Sequence, residues 1–438
     1  MNSNLNTTVV QKDMTLLEIS RAIIVGINLG NDELFYYQMT ELKSLCEACS
    51  FEVVETITQN LRTPNPATYV GIGKLKEIAD IAKIVEADAV IFNDELSPSQ
   101  IKNINDVIED IEVLDRTMLI LEIFEKRATS KEAYLQVEIA RLKYMLPRLI
   151  GNRAYLSRTG GGGGGAGGAR RGLGETKLEL DRRHIEMKIS IAKQELESLK
   201  KARQTSRKMR NENNEKIVAL VGYTNAGKSS TINSLLNLYS DTESKEVFVK
   251  DMLFATLETQ TRKLKLPNNH QFLITDTVGF VSKLPHHLVE SFKSTLEEIL
   301  DADLILHIID ASSPFRDLQI KTTEDVLASL GVTDIPVLYI LNKTDLVKNQ
   351  ISLASFKDAI HTSAKLKEGI RDLANKIDEI LFVDTYLDRF LIPYDKGNLF
   401  SLLKEKAEVL ETNYLDTGIE VLANVSLQLH NMLNEYKK

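Results

Sequence analysis

The sequence contains no tryptophan and only two cysteines, Cys46 and Cys49, among 438 residues. Two cysteines cannot build a disulfide framework, so the composition is typical of a protein kept in a reducing compartment. Neither a second CxxC motif nor a cluster of histidines accompanies the sequence CEAC. We therefore interpret the pair as structural rather than as a redox or zinc site.

Long apolar runs are also missing. The longest, ADLILHIID and IPVLYILN, are less than half the roughly 20 residues that a helix needs to cross a bilayer. The first 20 residues have neither a basic start nor an apolar stretch of signal-peptide length, so secretion is not expected. These absences predict a protein that is not secreted and has no membrane anchor.

The charge is unevenly distributed along the chain. The formal net charge is -8, yet residues 126–214 hold 21 Lys and Arg against 9 Asp and Glu. This block therefore carries +12 and the remaining residues carry -20. A basic block in an acidic protein favours contact with a polyanion such as RNA, although exposed helices also carry lysines for solubility alone.

Chain length and hydrophobic periodicity predict several domains, because 438 residues exceed the size that one core normally serves. From Arg21, short apolar runs alternate with helix-period segments, which predicts a parallel α/β domain. Basic helical patterns at Thr117–Leu149 and Glu175–Asn211 predict an antiparallel helical hairpin. A second α/β region follows, and the chain ends in a small α+β unit that must dock on a neighbour to be stable.

Two glycine-rich segments interrupt these patterns. The segment 160–168 has eight glycines around one alanine, which is typical of a chain that stays disordered until a partner fixes it. A bare flexible linker is one interpretation. We favour an RNA-contacting loop, because Arg170 and Arg171 follow at once and bare backbone can approach phosphates closely. The turn VGIGK lacks the rest of a nucleotide fingerprint, so we interpret it as a plain turn before a helix.

The sequence GYTNAGKS, at Gly222–Ser229, follows the apolar strand IVALV and opens a helix, which is the context of a phosphate-binding loop. Its glycines let backbone N–H groups turn towards the α- and β-phosphates. Lys228 would place its charge near the β- and γ-oxygens, and the Ser229 hydroxyl would bind Mg²⁺. Asn225 is a candidate ligand for a monovalent cation such as K⁺, an interpretation that the residues alone leave open.

The sequence NKTD, at Asn342–Asp345, ends the apolar strand VLYIL, at the sheet edge where ligands bind in α/β folds. The Asp345 carboxylate could accept both N1–H and N2–H₂ of guanine, whereas adenine has no such pair of donors. HTSAK follows, with Ser363, Ala364 and Lys365 placed to contact the guanine carbonyl. Together these residues predict guanine as the base.

Two further motifs occupy the positions of segments that sense the γ-phosphate. In DTVGF, Asp276 would reach Mg²⁺ through water and the Gly279 amide would meet the phosphate. FATLE, at Phe254–Glu258, would supply Thr256 as a second hydroxyl on Mg²⁺. Phe280 stands where many GTPases have a glutamine that orients the attacking water. Slow unaided hydrolysis, and a partner that completes the site, are therefore expected.

These motifs resemble those of the HflX family of translational GTPases. The resemblance runs from about Arg21 to Leu381 and is carried by GYTNAGKS, DMLFATLE, DTVGF, NKTD, TYVGIGKLKEI, FNDELSPSQ, LDRT, the glycine-rich run and RRGLGETKLELDRR. Leu173, Lys177 and Thr259 depart from the usual family pattern. The family has also been linked to ATP binding in its N-terminal domain, where this sequence shows no phosphate-loop signature.

The resemblance implies a cytoplasmic GTPase that binds the large ribosomal subunit, splits or rescues stalled ribosomes under stress, and is stimulated by the ribosome. It also implies that the N-terminal domain and the hairpin reach into ribosomal RNA. Two other interpretations remain open from the residues. One is a GTPase of large-subunit assembly or RNA modification, and the other is a protein that binds GDP or GTP structurally with little turnover.

The predicted fold class is α/β, and the predicted domains are a disordered tail at 1–20, an N-terminal α/β domain at 21–116, a helical hairpin with its Gly-rich loop at 117–214, a GTPase domain at 215–382 and a small C-terminal α+β domain at 383–438. The predicted nucleotide-binding residues are Gly222, Tyr223, Thr224, Asn225, Ala226, Gly227, Lys228, Ser229, Ser230, Phe254, Ala255, Thr256, Leu257, Glu258, Asp276, Thr277, Val278, Gly279, Asn342, Lys343, Asp345, Ser363, Ala364 and Lys365. The predicted catalytic residues are Lys228, Thr256 and Gly279, and the predicted Mg²⁺ ligands are Ser229, Thr256 and, through water, Asp276. The predicted RNA contacts are Arg170, Arg171, Lys177, Arg182 and Arg183.

Overall fold

The computed structural model describes residues 19–149, 171–212, 215–239, 253–254, 260–283, 288, 298–347, 356, 358–383 and 385–438. Of the predicted tail at 1–20, only the last two residues are described, and the glycine-rich segment 160–168 lies outside the described residues. Within the described part of the chain, no helix is long and apolar enough to cross a membrane. The chain divides into two compact units, one comprising Met1–Glu122 with Pro147–Gly167 and the other Ile123–Leu146 with Gly168–Lys438.

Strands and helices alternate in the N-terminal unit. Their bounds are β1 Ser20–Asn28, α1 Asp32–Ala48, β2 Phe51–Asn60, α2 Ile72–Ile84, β3 Ala89–Phe92, α3 Pro98–Asn105 and β4 Glu112–Asp115. The strands form a parallel sheet in the order β2-β1-β3-β4. Ile23 of β1, Val90 of β3 and Ile78 of α2 are fully buried in its core. This unit is therefore the parallel α/β fold that the alternating apolar runs predict.

Capping residues fix where the first helices begin. The Asn31 side chain accepts a hydrogen bond from the Leu34 amide at the start of α1. At the start of α3, Ser97 and Gln100 form a reciprocal capping box, and Pro98 occupies the first turn, where its missing N–H costs nothing. The turn VGIGK supplies Gly71 as the N-cap of α2, in agreement with its interpretation as a turn before a helix.

Both cysteines are buried along α1. Cys46 lies in the helix and Cys49 at its C-cap, and neither forms a disulfide. Burial raises the pKa of the Cys46 thiol well above its usual range, which disfavours the thiolate that redox and metal chemistry require. Among the described residues, no group of His, Cys, Asp and Glu could hold a metal ion. The burial of both thiols and the raised pKa of Cys46 support a packing role for the pair.

Among the described residues between the N-terminal sheet and the second α/β region lie the helices α4 Arg116–Arg127, α5 Lys131–Met145 and α6 Arg171–Glu212. The single helical pattern over Thr117–Leu149 is divided between α4 and α5. The Ser130 hydroxyl accepts a hydrogen bond from the Ala133 amide, which begins a new helix at Lys131.

Packing of α5 against α6 produces the predicted hairpin. Leu135 and Ile139 of α5 meet Ala192 of α6 in a buried cluster. An ion pair between Lys131 and Glu195, at 2.8 Å, crosses the two helices at its edge. The hairpin therefore rests on a small apolar cluster between the two helices.

The motifs that the sequence predicts to bind nucleotide lie in a second α/β region. Its elements are β5 Lys216–Gly222, α7 Lys228–Tyr239, β6 Gln260–Lys265, β7 Gln271–Asp276, β8 Leu304–Asp310, α8 Arg316–Ser329, β9 Val337–Asn342, β10 Ile360–His361 and α9 Ile370–Leu381. The sheet order is β10-β9-β8-β5-β7-β6, with β6 antiparallel to β7 and the other pairs parallel. Parallel order brings the carboxyl ends of β5, β7, β8 and β9 to one edge, where ligands bind in such sheets.

The C-terminal region consists of β11 Thr385–Ile392, α10 Gly397–Lys406, β12 Glu408–Leu415, β13 Gly418–Ser426 and α11 Leu427–Met432. Its antiparallel sheet has the order β11-β13-β12 and buries Phe390 and Val421 in a core of its own. It contacts the turn between β6 and β7, where Nδ2 of the Asn269 side chain donates to the carbonyls of Lys404 and Ala407. The α/β fold class predicted from the sequence, with a small C-terminal α+β unit, is confirmed.

Candidate functional site

Close backbone packing shapes the loop between β5 and α7. Gly222 has a φ of 146°, and a Cβ there would lie 2.2 Å from the Ile308 carbonyl oxygen. Gly227 has a φ of 99°, and its Cβ would lie 2.1 Å from Nδ2 of Asn342. Any larger residue at either position would collide with β8 or with the NKTD loop. The two glycines thus fix a tight loop whose end leads into the first turn of α7.

The Lys228 side chain runs back along this loop. Its Nζ donates to the carbonyls of Gly222 and Tyr223 at 3.1 and 2.9 Å. Burial lowers the pKa of Lys228 to about 8, and the Asp276 carboxylate opposes the shift. A buried ammonium whose desolvation is only partly offset by one carboxylate favours binding of an anion. The loop is therefore electrostatically prepared for a phosphate group.

Ser229 and Asp276 come together beside Lys228. The Ser229 hydroxyl donates to Oδ2 of Asp276 at 2.6 Å, and Asp276 is fully buried at the end of β7. A hydroxyl and a carboxylate are hard oxygen donors of the kind that Mg²⁺ prefers. The third predicted ligand, Thr256, lies outside the described residues, as do Ala255, Leu257 and Glu258.

The DTVGF segment lies against the loop. The Phe280 amide donates to the Gly222 carbonyl at 3.2 Å, and the Thr224 amide donates to the Phe280 carbonyl at 2.7 Å. A Cβ on Gly279 would lie 2.8 Å from the Thr224 Cα and 2.9 Å from the Lys228 Nζ. Gly279 therefore approaches both residues as closely as only glycine can. Thr277 and Val278, in the same segment, are buried.

At the other end of the site, Asn342 joins two loops. One is the predicted phosphate-binding loop between β5 and α7, and the other is the loop at residues 363–365, which we call the SAK loop. Nδ2 of Asn342 donates to the Ala226 carbonyl at 2.9 Å, and its Oδ1 accepts from the Ala364 amide at 3.0 Å. The Ser363 hydroxyl donates to Oδ1 of Asp345 at 2.7 Å. These contacts bring three sequence motifs, which are far apart along the chain, into one continuous site.

The structure also describes five other predicted residues. Lys343 has a φ of 61° and pairs with Asp310 at 2.8 Å. Asn225 has a φ of 59° and is exposed, as is Lys365. Ser230 is partly buried in the first turn of α7. Phe254 is buried, and its ring packs edge-on against Phe124 with centroids 4.6 Å apart.

Three residues of this site have no sequence signal of their own. The Ser234 hydroxyl donates to the Ala364 carbonyl at 2.8 Å and so ties α7 to the SAK loop. Asp310 ends β8 beside Lys343, and only its place at a strand end could have indicated it. His307 is buried in β8, where burial, with a smaller effect of Lys228, lowers its pKa to about 4. A neutral imidazole therefore lies behind the phosphate-binding loop.

Two of the predicted RNA contacts can be placed in the structure. Arg182 and Arg183 are exposed on α6, and each forms an ion pair with a carboxylate one helical turn away, Glu186 and Glu179 respectively. Arg170 lies outside the described residues. Arg171 and Lys177 belong to α6.

Three family models match consecutive parts of the chain. Residues 36–125 match "GTP-binding GTPase N-terminal", residues 127–210 match "GTP-binding GTPase Middle Region", and residues 217–343 match "50S ribosome-binding GTPase". The third match spans GYTNAGKS, DTVGF and the start of NKTD. A crystal structure of a GTP-binding protein from Sulfolobus solfataricus in complex with GDP aligns over 82% of this chain and 99% of that one, with 25% identity and a TM-score of 0.43.

Relatives of known family match nearly the whole chain. The GTPase HflX of Caldanaerobacter subterraneus is 45% identical over 417 residues, which cover 95% of this chain and 93% of that protein. The GTPase HflX of Escherichia coli K12 is 33% identical over 423 residues, which cover 95% of both proteins. These matches confirm the resemblance that the motifs carry. The chain belongs to the HflX family of GTPases.

Proposed function

We propose that this GTPase binds the large ribosomal subunit and splits or rescues stalled ribosomes under stress, and that the ribosome stimulates its hydrolysis of GTP. The observation that carries the ribosomal part is the match of residues 217–343 to a family described as a 50S ribosome-binding GTPase. The +12 charge of residues 126–214 supports it, because ribosomal RNA is a polyanion. A factor with this target works in the cytoplasm, the compartment that we propose.

We assign the predicted nucleotide-binding residues to guanine nucleotides. The loop amides and Lys228 bind the phosphates, while Asp345 accepts from the N1–H and N2–H₂ of guanine. Ser363 supports this recognition, because its hydroxyl already holds Asp345 at 2.7 Å. Asn342 ties the two ends together, so the distance between phosphate and base sites is set by its hydrogen bonds to Ala226 and Ala364.

Mg²⁺ fits the oxygen donors at the phosphate end. Ser229 would ligate it directly and Asp276 through water, and the metal would neutralise charge on the β- and γ-phosphates. We propose Thr256 as the second hydroxyl ligand, from its place in FATLE. Asn225 is our candidate ligand for K⁺, because its left-handed backbone places it on the exposed side of the loop.

The DTVGF segment is proposed to sense the γ-phosphate. The Gly279 amide would donate to that phosphate, and Phe280 hydrogen bonds to the loop on either side of Tyr223. Loss of the γ-phosphate removes one of the contacts that hold this segment. Phe280 offers no polar side-chain atom to orient water, so we propose that the ribosome supplies or orders the missing element.

The proposed RNA contacts are Arg170, Arg171, Lys177, Arg182 and Arg183. For Arg182 and Arg183, the ion pairs with Glu186 and Glu179 are exposed and lie within one helix. Such pairs contribute little free energy and are easily exchanged for phosphate contacts. Each arginine that moves to a phosphate should release about one counterion, which makes binding sensitive to salt.

Sedimentation with purified ribosomal subunits tests the proposal. The full chain is mixed with large subunits, small subunits or intact ribosomes in GDP or a non-hydrolysable GTP analogue, and splitting is followed by light scattering. We expect binding to the large subunit that depends on the GTP analogue, together with dissociation of intact ribosomes. Binding to a precursor of the large subunit, without splitting of mature ribosomes, would instead support the assembly function.

A matched pair of variants tests the basic block. Arg182→Gln with Arg183→Gln should weaken large-subunit binding and lower the salt slope of log K by about 2. Arg371→Gln with Lys376→Gln removes two exposed charges from α9 and should leave the salt slope unchanged. An equal loss in the two double variants would contradict the assignment of α6 as an RNA contact.

A further inference from the structure

The Thr224 hydroxyl has no described function in the folded chain. Thr224 is 6% exposed, and its Oγ1 is buried without a hydrogen-bond partner among the described residues. A buried hydroxyl that lacks a partner is costly and is therefore rare unless a ligand satisfies it. Polar groups next to this hydroxyl do have partners. The Thr224 amide donates to the Phe280 carbonyl, and the Tyr223 hydroxyl accepts from the Ser282 amide.

Thr224, Gly279 and Lys228 lie close together. A Cβ built on Gly279 would be 2.8 Å from both Cα and Cγ2 of Thr224 and 2.9 Å from Nζ of Lys228. The Gly279 amide and Lys228 are the proposed binders of the γ-phosphate. Thr224 therefore lies close to the two groups that we propose to bind the γ-phosphate.

The Phe280 side chain cannot donate a hydrogen bond to the reacting groups, so another donor could act during hydrolysis. Phe280 stands at the glutamine position and is 1% exposed, and its backbone N–H and C=O hydrogen bond to the loop. Charge develops on the γ-phosphate oxygens during hydrolysis, and fixed donors aimed at that charge lower the barrier. Thr224 is a suitable donor, because its backbone is held at 2.7 Å by the Phe280 carbonyl.

We infer that Thr224 is a catalytic residue whose hydroxyl donates a hydrogen bond to a γ-phosphate oxygen as GTP is hydrolysed. This inference rests on the proposed nucleotide site. The oxygen of water forms a bond to the γ-phosphorus, and the bond from that phosphorus to the β–γ bridging oxygen breaks. Its electron pair stays on GDP, and the water proton leaves with inorganic phosphate or to solvent. Thr224 keeps its own proton throughout.

Thr224→Val and Thr224→Ser separate the hydroxyl from the methyl group. Valine keeps the shape that packs against Gly279 but has no donor, whereas serine keeps the donor. We expect the single-turnover rate of Thr224→Val to fall by about 10- to 100-fold, while Thr224→Ser stays within about threefold of the original chain. Thr322→Val, at a partly buried position of α8 outside the proposed site, is the control and should hydrolyse GTP at the original rate.

Two binding measurements distinguish catalysis from folding and from the nucleotide site itself. GDP affinity measures whether the proposed nucleotide site is intact. It should be unchanged in Thr224→Val, because GDP lacks the γ-phosphate that the hydroxyl contacts. Affinity for GDP with aluminium fluoride, which imitates the transferred phosphate, should fall with the hydrolysis rate. If Thr224→Val hydrolysed GTP at the original rate, or if all variants including serine lost GDP binding together, the inference would be overturned. Failure of the original chain to bind GDP would instead refute the proposed nucleotide site.

Discussion

Nδ2 of Asn342 lies 2.9 Å from the Ala226 carbonyl oxygen, and this hydrogen bond joins two loops separated by 116 residues of sequence. The same side chain accepts from the Ala364 amide through Oδ1. One amide group thus holds together the proposed phosphate and guanine ends of the site. The contact is buried, so its loss leaves polar backbone groups without partners.

Replacement of Asn342 should therefore weaken every guanine nucleotide to a similar extent. Asn342→Ala leaves the Ala226 carbonyl and the Ala364 amide unsatisfied, and we expect GDP and GTP affinity to fall by about 10- to 100-fold. Fluorescence titration with a labelled GDP measures this directly. Asn375→Ala, on the exposed face of α9, is the control. Affinities that match in the two variants would argue against a bridging role.

Base selection should depend on Asp345 rather than on Asn342. Asp345→Asn replaces an acceptor by a donor, which opposes the N1–H of guanine but suits the carbonyl that xanthine carries at C2. We expect GDP affinity to fall by about 100-fold and XDP affinity to rise. Competition binding with GDP, XDP and ADP tests this. Tighter binding of ADP by the variant, with no gain for XDP, would place the base elsewhere.

The elements that sequence predicts best are those whose pattern is set by burial. Apolar runs such as that of β8 are buried along their length, and glycine-rich turns follow where the chain must pass close to its neighbours. Sequence therefore indicates β5, β7, β8 and β9 and the loops at their ends. These loops hold most of the proposed site, because parallel strands end at a common edge.

Elements stabilised by their neighbours escape prediction. β6 reads QTRKLK, with only Leu264 buried, and is a strand because β7 offers it a hydrogen-bonding edge. β12 is also largely exposed, and it is a strand because it pairs with β13. The Ser234 hydroxyl donates to the carbonyl of Ala364, which is 130 residues further along the chain. A local sequence pattern cannot indicate a contact of that kind. The division between α4 and α5 depends on the single cap at Ser130.

The lowered pKa of Lys228 should make GDP binding depend on pH. Phosphate binding requires the ammonium, whose pKa in the free protein is about 8. Below that pH the group is already charged. Above it, binding must take up a proton, so affinity should fall by up to about tenfold per pH unit. Titrations at pH 7.0, 8.0 and 9.0 measure this slope.

Lys228→Arg provides the matched comparison, because a guanidinium stays charged throughout this range. It should bind GDP more weakly, since the loop carbonyls are spaced for an ammonium, but with no added slope between pH 7 and 9. Ionisation of the base is common to both proteins and cancels between them. Equal slopes in the two proteins would show that Lys228 is not the group that titrates.

The turn between β6 and β7 should hold the C-terminal region in place. Asn269 donates to the carbonyls of Lys404 and Ala407 at 3.1 and 2.8 Å, at the end of α10. Asn269 has a φ of 65°, so Asn269→Gly keeps the backbone and removes only the two hydrogen bonds. We expect a loss of about 1–3 kcal/mol in local stability, which would speed tryptic cleavage after Lys404 and Lys406 by about 5- to 150-fold while GDP affinity stays unchanged. Cleavage at the original rate would mean that the apolar core of the C-terminal region holds α10 without help from the turn.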